Sequence, residues 1–252
     1  MNVEIITVAT HNEGTLQKII HNKFKQPVKV LGLGQKWTGF KMKNQLIYDY
    51  IKNQPDNKII IYLDGFDSLI NGTASQAVST FINNNYKVLF SKDELKFDFS
   101  PIFSTSRVFP PCNDNTTINS GLWMGYVKYI KILLEDSLKE KCKDDQRIIN
   151  LQCKKFDFIS IDKEYKIFQN FNSMKEFKEK KHNTIFISFP GTFTFKRFTR
   201  SIFEYGQFNI PHIIILFTIL IFILYYFNQN ITIIFFTIIL ILYFIFMDKS
   251  CI

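Results

Sequence analysis

KIIIYLDGFDSLI, residues Lys58 to Ile70, is the stretch that decides the fold. A charge-free run of Ile, Ile, Ile, Tyr and Leu has the composition of a strand buried on both faces, as in a parallel sheet covered by helices above and below. The run stops at Asp64. Asp64 and Asp67 then flank Gly65 and Phe66, where a bend at the strand's carboxyl end aims two carboxylates at one point. Hard oxygen donors in that position suit Mg²⁺ or Mn²⁺, which commonly share carboxylates with substrate phosphates. The pair therefore suggests a divalent cation whose other ligand is a nucleotide diphosphate. The same two residues also fit a capping or turn pair.

Upstream, Val3 to Val8 and Val28 to Leu33 read as strands, with Glu13 to Phe24 and Lys43 to Asn53 helix-like between and after them. Such alternation ahead of Asp64 implies right-handed crossovers and a mainly parallel sheet. A G-x-G-x-x-G loop is missing, because Gly32, Leu33 and Gly34 run into Gln35, Lys36 and Trp37; the dinucleotide reading loses its main support. Downstream, Gln76 to Asn84 is a helix and Tyr86 to Phe90 a strand. Glu94 to Asn115 reads as a long loop. Ile118 to Val127 is an aromatic-rich strand, and Asn119, Ser120 and Gly121 open it with small polar groups that let a ligand come close to backbone. Ile130 to Lys141 is a helix, and Asp144 and Asp145 begin another, where acidic residues also serve as ordinary helix starts. Phe156 to Ile161, Lys166 to Phe168 and Thr184 to Phe189 are short late strands.

The net charge of +9 comes from scattered lysines, not a basic block, so nucleic acid is not the inferred partner. Pro211 to Phe227 and Ile231 to Met247 are almost wholly Ile, Leu, Phe and Tyr, separated by Asn228, Gln229 and Asn230. Each lies at the short end of the ~17 to 25 residues that cross a bilayer, so a helical transmembrane hairpin is expected over 211–247. Residues 1–200 then form the α/β domain, 201–210 a basic juxtamembrane linker and 248–252 a short tail. Lys196, Arg197 and Arg200 before the first span place the soluble domain in the cytoplasm by the positive-inside rule, and no signal peptide precedes the first strand. Cys112, Cys142, Cys153 and Cys251 have no metal or redox spacing and read as free thiols in that compartment. Asn71, Asn115 and Asn230 head N-x-[ST] triplets, which matter only if the domain is lumenal.

Six stretches in order resemble the glycosyltransferase domain of the procollagen lysyl hydroxylases and the stand-alone transferases related to it. They are TVAT at Thr7 to Thr10, VKVLGLGQKWTGF at Val28 to Phe40, IIIYLDGFDSLI around the acidic pair, INSGLWMGY at Ile118 to Tyr126, DDQ at Asp144 to Gln146, and IFQNF at Ile167 to Phe171. The resemblance covers residues 3–191. It implies a GT-A type, Rossmann-like fold with a mixed sheet, a UDP-sugar as donor and Mn²⁺ as the cation. On it, Asp64 and Asp67 are metal ligands and Phe66 contacts the nucleotide. Thr7 and Thr10 line the uracil and ribose, Trp37 belongs to the donor site, and Lys43 or Lys41 meets the diphosphate. Asn119 and Ser120 join the donor-binding residues, and Asp145, with Asp144, lies near the acceptor and the sugar carbon. The family's metal-ligating histidine falls on Ser188, a poorer ligand, and His182 on the same face is too far along the chain to replace it. No iron or 2-oxoglutarate chemistry is expected.

The resulting expectation is a membrane-anchored, Mn²⁺-dependent hexosyltransferase that passes glucose or galactose from a UDP-sugar to a protein or glycan. The alternative is a membrane-held binding module that keeps the fold without the activity.

Overall fold

The computed structural model of the chain describes residues 2–93, 108–112, 114–171, 174–179, 183–190, 206–227, 230–247 and 251. The chain forms two compact units, residues 1–95 with 109–192, and residues 96–108 with 193–252. His182, the basic group Lys196, Arg197 and Arg200, the turn residues Asn228 and Gln229, and most of the loop expected over 94–115 lie outside the described residues.

The first unit is built on a six-stranded sheet. Its strands are β1 (Val3–Val8), β2 (Val28–Leu31), β3 (Ile59–Leu63), β5 (Val88–Lys92), β6 (Ile118–Tyr126) and β7 (Ile159–Asp162), in the order β2-β1-β3-β6-β5-β7. Pairs β1–β2, β1–β3 and β5–β7 are parallel, whereas β6 runs antiparallel to both β3 and β5. The mixed sheet thus carries its one reversed strand beside the central one. All five residues of β3 are 0% exposed. Side chains alternate across a strand, so Ile60 and Tyr62 join one apolar cluster and Ile59, Ile61 and Leu63 the other.

Helices cover both faces: α1 (Leu16–Ile20), α2 (Phe40–Ile51), α3 (Ala74–Asn83), α4 (Val127–Lys139) and α5 (Asp145–Lys155), with α6 (Met174–Glu179) following later. Ile47 and Ile51 of α2 and Ile130, Leu133 and Leu134 of α4 pack in the first cluster, and Ala77, Val78 and Phe81 of α3 in the second. Thr73 and Gln76 form a reciprocal capping box that starts α3. The first helix is much shorter than its apolar spacing predicts. Asn22 donates to the carbonyls of Ile19 and Gln26, and Lys25 takes a φ of 53°, so the chain turns where the helix would continue.

A second, three-stranded sheet has the order β4 (Ser68–Ile70), β9 (Phe186–Ser188), β8 (Phe168–Asn170). Sequence reading runs β4 into the acidic stretch and misses it as a strand. It pairs antiparallel with β9, Ser68 opposite Ser188, and so returns the end of the domain to the turn that follows β3.

Cys112 and Cys153 are disulfide-bonded and none of the cysteines is free, which corrects the free-thiol reading. The bond joins the segment before β6 to the last turn of α5. A pair 41 residues apart leaves no spacing signal in the sequence.

In the second unit, a 3-10 turn at Gly206–Asn209 leads into α7 (Ile210–Tyr226), and α8 (Asn230–Phe246) follows. Both are apolar all round, with Phe222 70%, Tyr226 78% and Phe246 70% exposed. Each has 17 residues, which at ~1.5 Å per residue gives about 25 Å against the ~30 Å of a bilayer's hydrocarbon core. Among the described residues no helix is long and apolar enough to cross a membrane, so helix length does not support the two spans expected from the sequence.

Candidate functional site

β3 ends at Leu63, and the site is built where it stops. Asp64 donates its N–H to Gly121 O at 2.8 Å, which ties the acidic turn to the opening of β6. Gly65 lies so close to β1 that a Cβ there would stand 2.8 Å from Val8 O. The loop from Ala9 to Gly14 folds over the same turn: Thr15 N–H donates to Phe66 O, and Gly14, at φ +57°, has no room for a side chain against that carbonyl. Three chain segments thereby fix the backbone between Asp64 and Asp67, in keeping with ligand sites at the carboxyl ends of strands.

Asp64 is held from two sides. Tyr62 donates its phenol proton to Asp64 Oδ1 at 2.6 Å, and Lys43 Nζ lies 3.6 Å from the same oxygen. Lys43, on α2 and only 5% exposed, also forms an ion pair with Asp145, itself 8% exposed. One buried ammonium thus bridges the acidic turn after β3 and the first residue of α5. Burial by itself lowers the Lys43 pKa, but attraction to Asp145 and then Asp64 outweighs it and holds the ammonium charged far above the usual lysine range. Burial raises the Asp64 carboxyl against the lowering influence of Lys43 and Tyr62, although 35% of that side chain remains open at the mouth of the site. Tyr62 is pushed well above the ordinary phenol range by burial and then by Asp64, so it remains a donor.

The other carboxylate of the turn faces the second sheet. Ser188 Oγ stands 3.4 Å from Asp67 Oδ1, and Phe189 N–H donates to Asp67 O at 2.7 Å. The β4–β9 pairing therefore delivers Ser188 to Asp67. Among the described residues no group of three His, Cys, Asp or Glu side chains could hold a metal ion. What the turn offers is an all-oxygen set, two carboxylates and the Ser188 hydroxyl. Such donors fit Mg²⁺ or Mn²⁺ with phosphate and water completing the shell.

The remaining candidates divide. Asp144 caps α5, its carboxylate accepting from Arg147 N–H at 2.7 Å, whereas Asp145 turns to Lys43. Lys41 is exposed and reaches the carbonyl of Glu140, so the structure brings Lys43 and not Lys41 to the carboxylates. Thr7 is buried and donates to Leu63 O at 2.6 Å, bracing β1 against β3. Thr10 Oγ1 meets His11 Nδ1, and the His11 ring lies 5.1 Å from Phe66. Trp37 is 43% exposed and packs edge-on against Phe40. Asn119 Oδ1 accepts from Gly121 N–H, and Ser120 lines a cavity of about 40 Å³ together with Lys43 and Asp145.

One contributor escapes the sequence reading. Tyr62 shares a strand face with Asp64, a signal present in the two-residue alternation. Gly121, singled out in the sequence as part of an opening that lets a ligand approach backbone, also leaves room for Asp64, since a Cβ there would come 2.6 Å from Asp64 Oδ2.

Residues 1–189 match the family model described as the PLOD GT domain. The "Multifunctional procollagen lysine hydroxylase and glycosyltransferase" of Caenorhabditis elegans is 27% identical over 195 residues, covering 68% of this chain and 26% of that protein. The "Procollagen-lysine,2-oxoglutarate 5-dioxygenase" of Drosophila melanogaster is 27% identical over 192 residues, covering 69% and 26%. The chain matches about a quarter of the length of each of these relatives. Among solved structures, "a glycosyltransferase involved in the glycosylation of the major capsid of PBCV-1" is similar at 12% identity and a TM-score of 0.48, covering 76% of this chain and 96% of that one.

Proposed function

The chain belongs to the PLOD GT domain family, and from that premise we propose that its first unit is a GT-A type glycosyltransferase. In this reading it transfers a hexose, glucose or galactose, from a UDP-sugar to a protein or glycan acceptor. The observation that carries the proposal is the acidic turn after β3, where Asp64 meets Lys43, which pairs in turn with Asp145, while Asp67 meets Ser188. A reversed β6 inside an otherwise parallel arrangement also suits a GT-A sheet.

Asp64 and Asp67, with the Ser188 hydroxyl, would hold Mn²⁺ or Mg²⁺. When bound, such an ion supplies positive charge to the diphosphate leaving group. Lys43 keeps a second positive charge beside the same carboxylates and fixes Asp145 in place. Asp145, not the helix-capping Asp144, takes the part of the carboxylate that stabilises charge at the sugar carbon or receives the acceptor's proton. Thr10, Phe66 and Trp37 are assigned to the nucleoside, and Asn119 and Ser120 to the sugar. Membrane attachment through residues 211–247 belongs to the same proposal; its support is the exposed apolar surface of α7 and α8, not their length.

A second reading, a binding module without turnover, is favoured by one feature: beside Asp67 stands Ser188, which the resemblance aligns with a metal-ligating histidine. The full chain incubated with a panel of UDP-sugars, with and without Mn²⁺, separates the two. UDP release that depends on Mn²⁺ supports the transferase. UDP-sugar binding without release supports the module, and the lack of both overturns the proposal.

A further inference from the structure

Asn115 begins the triplet Asn115-Thr116-Thr117, one of three N-x-[ST] sequences in the chain. It sits at the tip of a tight turn just before β6. Cys112 N–H donates to Thr116 O at 2.9 Å, Asn115 N–H to Cys112 O at 3.0 Å, and Thr116 N–H to Asp114 Oδ1 at 2.9 Å. Asn115 takes a φ of 60° and is exposed, so its carboxamide projects from a turn closed by backbone bonds. The other described triplet is different. Asn71 spends its amide internally, donating Nδ2 to Thr184 O at 3.0 Å and accepting from Lys23 at 3.3 Å. Asn230 opens the apolar helix α8.

The turn that displays Asn115 also holds Cys112, which is disulfide-bonded to Cys153. Disulfides persist in secretory and extracellular compartments and are rare in the reducing cytosol. The compartment that oxidises this pair is also the one in which asparagine triplets are modified. Two independent observations, a built disulfide and an accessible triplet within the same turn, therefore point the same way.

We infer that Asn115 is an N-glycosylation site and that the first unit matures on the non-cytosolic side of a membrane. The donor class is a polyprenyl-diphosphate-linked oligosaccharide. The Asn115 amide nitrogen forms a bond to the anomeric carbon, the bond from that carbon to the diphosphate breaks, and the amide proton is lost to base as the lipid diphosphate leaves. The glycan stands at the rim of a cleft of about 480 Å³ lined by Cys112, Asp114, Cys153 and the edge of β7. This orientation is opposite to the one the basic residues before the first apolar run favour.

The test is expression of the full chain in secretory-competent eukaryotic cells, followed by endoglycosidase digestion and peptide mass mapping without reduction. The expected result is one glycan's loss of mass on digestion, assigned to the Asn115 peptide, together with a Cys112–Cys153 cross-linked peptide. Thr117→Ala should lose the glycan and Thr117→Ser retain it; should Thr117→Ala fail to accumulate, the wild-type glycopeptide decides. An unmodified Asn115 peptide, whether the cysteines are reduced or cross-linked, overturns the inference. So does a mass shift that survives Thr117→Ala or disappears with Asn71→Gln.

Discussion

Tyr62 donates its phenol proton to Asp64 across 2.6 Å while its ring stacks on Trp123, 5.2 Å between centroids and 20° from parallel. The hydroxyl acts on the site and the ring belongs to the core. Tyr62→Phe separates the two roles. The core stays filled, so the melting temperature should change little. Asp64 loses the bond that orients it, and such supporting bonds contribute roughly 10- to 100-fold to metal affinity. Calorimetric titration of Mn²⁺ in the presence of UDP, alongside a thermal melt, measures both; a variant that keeps its Mn²⁺ affinity would remove Tyr62 from the site.

Asp64→Asn and Asp67→Asn should each abolish Mn²⁺-dependent UDP binding and leave the far-ultraviolet circular dichroism unchanged. Unaltered UDP affinity in both variants with Mn²⁺ present rules out the metal assignment.

Gly121→Ala places a methyl 2.6 Å from Asp64 Oδ2. The carboxylate must move, yet Tyr62 and Lys43 hold its other oxygen. Overpacking of this kind costs about 1–3 kcal/mol, and the displacement should weaken UDP binding further than the same stability loss made elsewhere. Gly121→Ala compared with a distant core variant of matched melting temperature provides the control.

Lys43→Met strips the counter-charge from a buried Asp145. Removing one partner of a buried ion pair typically costs about 3–5 kcal/mol, because the other charge is left uncompensated. Lys43→Met with Asp145→Leu should recover much of that loss in urea unfolding while remaining inactive. If the single variant proves as stable as the wild type, the ammonium is not confined as described.

The acidic turn was legible because a strand-like apolar run ends abruptly at Asp64. Most of the strand-like runs along the chain were legible for the same reason; their order in the sheets and the reversal of β6 were not, because cross-strand pairing leaves no local signal. Which lysine enters the site was not. Lys41 and Lys43 differ only in which side of α2 they occupy, and that depends on the helix starting at Phe40. Asp144 and Asp145 are likewise adjacent and alike until the helix begins; the first then becomes its cap and the second points inward. Ser188 entered the reading through the resemblance alone, since nothing local in a short strand announces a carboxylate 121 residues back.

Ser188→His tests that placement. Imidazole is the better ligand for Mn²⁺, so the variant should bind Mn²⁺ more tightly. Ser188 is only 1% exposed, and the larger ring should lower stability by about 1–3 kcal/mol. No gain in affinity with the fold intact would show that β9 does not present this side chain to the ion.

Away from the site, Glu4 joins Lys58 at 2.5 Å and accepts from Tyr50 at 2.6 Å. Burial raises the Glu4 carboxyl, but the bonds from Lys58 and Tyr50 outweigh it and leave it below the ordinary value of 4.5. A depressed folded-state pKa contributes stability above the unfolded value and loses it as pH falls through the folded one. Melting temperatures of wild type and Glu4→Gln should therefore converge as the pH drops below about 4.5. Curves that stay parallel to lower pH would dismiss the linkage.

The pairing of β4 with β9 also fixes a time of assembly. Asp64 and Asp67 leave the ribosome early, but the strand that brings Ser188 to them follows more than a hundred residues later, and closing so long a loop is entropically slow compared with local helix formation. Until β9 docks, the acidic turn has only one of its two walls. On the proposed function, a nascent chain would therefore be silent toward a nucleotide-sugar until the domain is almost complete, and a truncation just before Phe186 should yield a folded-looking sheet that binds no UDP.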